Sequence, residues 1–100
     1  MARIRNSTPG EILLEEFLKP YHITADRLEK EADIPATRIS QILKDNRKIT
    51  VDTALRLSRF FGNSAGFWPG IQNEHDLREE QAAIEVELDK IHTVKKFALG

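Results

Sequence analysis

Between Thr24 and Lys44 the chain has room for two short helices and a turn of three residues. Thr24 can cap a helix of about Ala25 to Ala32, in which Leu28 and Ala32 lie four apart and share a face. After Asp33-Ile34, Pro35 can open a second short helix whose Ile39, Ile42 and Leu43 fall at inward spacing. Ala36, Thr37, Arg38, Ser40, Gln41 and Lys44 are left on its other faces, and most of them form hydrogen bonds readily. Leu28, Ala32, Ile34, Ile39 and Ile42 occupy the apolar positions that lock such a pair at a fixed crossing angle. Any helical hairpin needs apolar residues too, so the polar outer face is the more informative feature. A short helix pair of this kind can place its second helix in the major groove of DNA.

Caps and spacing supply three further helices, and no segment alternates with period two as a half-buried strand does. The fold class is therefore all-α, with five helices in one domain spanning 1–100 and a core of about 8–78. Thr8-Pro9-Gly10-Glu11 is a capping-box pattern with proline at the first helical position. Its helix runs to about Pro20, with Ile12, Leu13, Phe17 and Leu18 available to the core. Thr50 caps a helix in which Val51, Ala54, Leu55, Leu57, Phe60 and Phe61 supply apolar surface, and Gly62 ends it in a left-handed conformation. A long last helix is expected from near Pro69 to about Ile91, because proline five residues into a helix begun at Ser64 would kink it. An irregular turn over Ser64 to Trp68 follows, and the tail from Thr93 to Gly100 has no clear period.

On the last helix Leu77, Ile84 and Ile91 are spaced by seven, with Leu88 and Gln81 at intervening positions. Two heptads are too few to hold a free coiled coil, so this face packs either on its own domain or on a second copy. Phe67, Trp68, Ile71, Leu77, Ile84 and Leu88 are the candidates for a homodimer contact. Beside Phe60 and Phe61, the pair Phe67 and Trp68 also reads as core.

The net charge of -1 conceals a strong asymmetry. Arg38, Lys44, Arg47 and Lys48 face a single Asp45, whereas residues 74–90 carry seven acids against Arg78 and Lys90. Nucleic-acid affinity follows local clusters rather than the total. In this reading Gln41 can read adenine, and Arg38 can read guanine or hold a phosphate. Lys44, Asn46, Arg47 and Lys48 suit backbone contacts. Thr24, at a helix start, serves either as a phosphate contact or as a plain N-cap.

Other classes find little support. Without cysteine there is no disulfide, thiolate metal site or cysteine nucleophile. His22, His75 and His92 are too scattered for a local metal motif, and no phosphate-binding glycine loop or nucleophile motif occurs. Neither an enzyme nor a cofactor is expected. No apolar run approaches the roughly 20 residues of a membrane span, which points to a cytoplasmic protein.

Several segments taken in order resemble the HigA-type antitoxins, a group within the phage-repressor-like helix-turn-helix regulators. Pro9-Gly10-Glu11-Ile12-Leu13 with Glu16-Phe17-Leu18 is similar to the family's opening, and Arg38-Ile39-Ser40 with Ile42 to its recognition helix. Arg47, Ile49-Thr50 and Asp52-Thr53-Ala54-Leu55-Arg56-Leu57 extend the likeness. Its most specific piece runs from Phe60-Phe61-Gly62-Asn63-Ser64 through Phe67-Trp68 to Ile71-Gln72 and Asp76-Leu77-Arg78. The resemblance implies an antitoxin that neutralises a RelE-like, mRNA-cleaving toxin and represses its own operon as a homodimer on operator DNA. A stand-alone repressor without a toxin partner is the alternative, and an interaction module that has lost DNA binding is a third. The chain departs from the family pattern at Ala25, Glu29, Asp33, Asp45 and Pro69-Gly70. Glu29 stands at a close helix-helix contact and needs an outward route for its charge.

Overall fold

A computed structural model describes residues 7–94, and all of its regular elements are helices. The basic and aromatic tail residues Lys95, Lys96 and Phe97 fall outside the described residues, as do 1–6 and 98–100. The helices are α1 (Pro9–Ile12), continued by a π-helical stretch Leu13–Leu18, α2 (Ala25–Ala32), α3 (Ala36–Leu43), α4 (Val51–Phe61), α5 (Phe67–Ala83) and α6 (Glu85–Asp89).

The starts follow the threonines. Thr8 forms the capping box, its hydroxyl accepting from Glu11 N at 3.1 Å while the Glu11 carboxylate accepts from Thr8 N at 3.0 Å. Thr24 and Thr50 cap α2 and α4 by accepting from Arg27 N and Thr53 N. Gly62 closes α4 at φ 78°, a left-handed geometry that costs glycine nothing.

Ile12, Leu13, Leu18, Leu28, Ile34, Ile39, Ile42, Ala54, Leu57, Trp68 and Ile71 form one buried core. Trp68 anchors it. The indole is 0 % exposed, packs against Phe17, Phe61 and Phe67, and donates from Nε1 to Asn63 Oδ1 at 3.0 Å. At such a site its polar edge needs a partner.

Three expectations require correction. The last helix starts at Phe67, not near Pro69, and the irregular segment is confined to 62–66. Pro69 falls in the first turn, where the backbone N–H has no intrahelical partner to lose, and Gly70 N makes a regular bond to Gly66 O at 2.9 Å. Nor is that helix continuous to Ile91. It breaks at Ile84 (φ -117°, ψ 22°) and resumes as α6, which ends at Asp89. Finally, Val51 and Leu55 were expected to supply core surface on α4, but both are exposed. The inward face of α4 is instead Thr53, Ala54, Leu57 and Ser58.

The molecule is drawn out, 53 Å along its longest axis against 27 and 23 Å across. Leu77, Val86, Leu88, Ile91 and Val94, in the C-terminal part, are all exposed.

Candidate nucleic-acid interface

α2 and α3 are joined through Asp33, which adopts the left-handed conformation at φ 56°, ψ 49°. Aspartate tolerates that geometry better than most residues because its short side chain can bond locally. Here the turn is tied to α4, since Arg56 Nη1 donates to Asp33 O at 3.1 Å and to its carboxylate at 3.2 Å. Glu29 finds its outward route by accepting from Ala36 N at 3.0 Å. Pro35, the N-cap of α3, has no side-chain acceptor, and the carboxylate of α2 takes over that role.

Behind α3, Ile39 and Ile42 are buried. α1 presses directly on its end: a side chain at Gly10 would overlap the Ile42 carbonyl oxygen and meet Asp45 Oδ1 at 2.8 Å. Glycine is therefore needed here for close approach rather than for an unusual φ. The recognition-helix candidate is thus fixed from α1, α2 and α4.

Its outer face is Thr37, Ser40, Gln41 and Lys44, at the i, i+3, i+4, i+7 spacing of a single stripe, and all four are exposed. Arg47 donates to Gln41 Oε1 at 3.2 Å, which leaves the Gln41 amide NH₂ turned away from it as a free donor pair. The loop after α3 is tight. Asp45 has φ 62°, Asn46 N reaches Gln41 O at 2.8 Å, and Ile49 N donates to the buried Gln72 Oε1 at 2.9 Å. Ala36, at the start of α3, and Asn46, in the loop, are exposed.

The other expected contacts are placed differently. Arg38 does not belong to the stripe, because one residue per 100° puts it on the flank toward Ile42. There Nη1 donates to Asp52 Oδ2 and to Thr53 Oγ1, both at 3.2 Å. A base-reading Arg38 is thus not the arrangement in the free protein. Lys48 is drawn to Asp76 on α5 at 3.3 Å, leaving Lys44 and Arg47 as the cations nearest the stripe. Thr24 is exposed and acts as the N-cap of α2. The dimer candidates divide as well. Trp68 and Ile71 are buried and Phe67 is half-buried within the chain, whereas Leu77 and Leu88 are exposed and Ile84 lies half-buried at the helix break.

Asp52 is the residue that sequence reading missed. Its carboxylate accepts from Arg56 Nε at 3.0 Å as well as from Arg38. The hydrogen bond from Arg56 is the largest influence on its pKa and lowers it. Desolvation opposes this, and the charge of Arg56 with the hydrogen bond and charge of Arg38 keep the net shift below the ordinary 3.8, while the pairing with Asp52 raises the pKa of Arg56. The only sequence signal was the i,i+4 pair Asp52–Arg56; the 14-residue separation from Arg38 gave none.

The helix-turn-helix family matches residues 14–68, more than half of the chain. The chain belongs to that family. Among its relatives, virulence-associated protein I of Dichelobacter nodosus is 47% identical over 70 residues, covering 70% of this chain and 65% of that protein. The chain therefore matches slightly less than two thirds of that relative's length. The transcriptional regulator YbaQ of Escherichia coli K12 is 32% identical over 93 residues, covering 91% of this chain and 82% of its own. A solved structure, the antitoxin HigA of Pseudomonas aeruginosa with the higBA promoter, superposes with a TM-score of 0.83 at 34% identity, covering 90% of this chain and 99% of that one. The HigA-type resemblance seen in the sequence thus recurs in the fold. This is a family of DNA-binding regulators and antitoxins, not of enzymes. No helix among the described residues is long and apolar enough to cross a membrane.

Proposed function

We propose that the chain is an antitoxin-type regulator that binds the operator of its own operon through α3 and neutralises a RelE-like ribonuclease encoded with it. The observation that carries the DNA half is the outward stripe of α3: four exposed polar side chains on a helix whose opposite face is locked into the core. Thr37, Ser40 and Gln41 read base edges, with Gln41 suited to adenine. Lys44, Asn46, Arg47 and the α2 start at Thr24 hold phosphates, while Lys48 joins them only by leaving Asp76. The likeness to an antitoxin that has been solved with its promoter supports the reading.

The protein acts as a homodimer in this proposal, presenting two recognition helices to an operator of matching two-fold symmetry. Leu77, Ile84 and Leu88 supply the contact, because Trp68 and Ile71 are occupied by the core. A regulator without a toxin is the second reading, favoured by the match to YbaQ over 91% of this chain.

Two experiments test these halves. Titration of the protein onto its own upstream DNA, with Gln41→Ala beside wild type, should show a loss of about 1–3 kcal/mol in operator binding and little change on unrelated DNA. Equal losses on both would remove Gln41 from base reading. Co-expression with the adjacent ribonuclease should restore growth if the antitoxin reading holds. Continued growth arrest, with DNA binding intact, would leave the stand-alone regulator.

A further inference from the structure

Arg38 is a long cation on the flank of the proposed recognition helix, yet it is turned inward and its side chain is only 27% exposed. It is the last member of a charged chain, Asp33–Arg56–Asp52–Arg38, that runs from the turn between α2 and α3, along the start of α4, to α3. Two carboxylates balance two guanidinium groups, and Thr53 Oγ1 accepts a further bond from Arg38. An arginine freed at this position would reach for phosphate, adding affinity for every DNA sequence alike.

We infer that Asp52 is a specificity-determining residue: by holding Arg38 off the phosphate backbone, it leaves discrimination to Thr37, Ser40 and Gln41. The inference rests on the reading that α3 binds DNA, and it adds a role for a residue that need not touch DNA at all. Asp52 acts through Arg38 and is thus a positioning residue.

The test is a salt titration of binding to operator and to unrelated DNA for wild type, Asp52→Asn, Asp52→Glu, Arg38→Ala and the Asp52→Asn/Arg38→Ala double variant. Asp52→Asn should bind unrelated DNA more tightly, steepen the salt slope by about 0.9, the value of one phosphate contact, and narrow the ratio between the two DNAs. Asp52→Glu, which keeps the carboxylate, should restore the wild-type slope. In the double variant the steepening should vanish. If it persists without Arg38, the effect is merely the loss of a negative charge near DNA and the inference is overturned. An unchanged slope in Asp52→Asn overturns it too. Should Asp52→Asn fail to fold, Arg38→Ala alone decides: a wild-type slope supports a held Arg38, and a slope shallower by about 0.9 shows that it already contacts phosphate. Wild type that binds neither DNA would instead refute the DNA-binding reading itself.

Discussion

Leu57 and Leu77 are the same residue on two helices of one chain, and their surroundings are opposite. Leu57 is 1% exposed among the buried side chains of α4, and Leu77 is 56% exposed on α5. The division extends to the rest of each region. Up to Gln72 the apolar residues mostly converge on Trp68 and its neighbours, whereas Leu77, Val86, Leu88, Ile91 and Val94 face outward. Residues up to Gln72 thus build a unit that can hold α3 in place. The C-terminal helices keep apolar side chains that contribute little to that unit and remain available for association.

The largest effect expected from this contrast is at Trp68. Trp68→Ala should lower stability by about 3–5 kcal/mol in urea unfolding, through a cavity and an unpaired Asn63. A loss near 1 kcal/mol would mean that the core does not depend on this anchor. Gly10→Ala should cost about 1–3 kcal/mol, since the new methyl meets the backbone of Ile42 rather than a flexible side-chain end. If it leaves both stability and DNA binding unchanged, α1 does not brace α3.

Leu77→Ser and Ile91→Ser should change unfolding by no more than about 0.5 kcal/mol at concentrations where the chain is monomeric. In sedimentation, Leu77→Ser should weaken self-association, and a monomer destabilised as strongly as by Trp68→Ala would erase the contrast. The smallest effect concerns pH and belongs to the packed region. The folded pKa of Asp52 lies below its unfolded value near 3.8, so its stabilisation is complete above that value and is lost as pH falls through the lowered one. The difference in Tm between wild type and Asp52→Asn should therefore shrink from pH 5 toward pH 2. A constant difference would show that the pairing with Arg56 and Arg38 carries no such linkage.

What was legible in the sequence was local. Thr8, Thr24 and Thr50 announced their helices because a cap and the N–H that it satisfies are three residues apart. Ile39 and Ile42 announced the buried face of α3 by their spacing, and the residues left over gave the stripe. The misreadings lie where position or distance decides. Pro69 looked like a helix start because a helix begun at Ser64 would have placed it where it forces a kink, yet the helix begins at Phe67 and its first turn accommodates proline. The break at Ile84 has no glycine or proline to mark it. The pairing of Arg38, read as a contact to guanine or to phosphate, with Asp52 was not legible, because the two are 14 residues apart and meet only once the start of α4 reaches the flank of α3.

The carboxylate of Glu29 against the first N–H of α3 bears on how that helix can meet a polyanion. A helix start carries a partial positive charge, and this draws phosphate oxygens to it end-on. On α3 an internal carboxylate partly offsets that field and occupies one of the donors. In the proposed DNA complex this disfavours an end-on phosphate at the tip of α3 and leaves contact to the side of the helix.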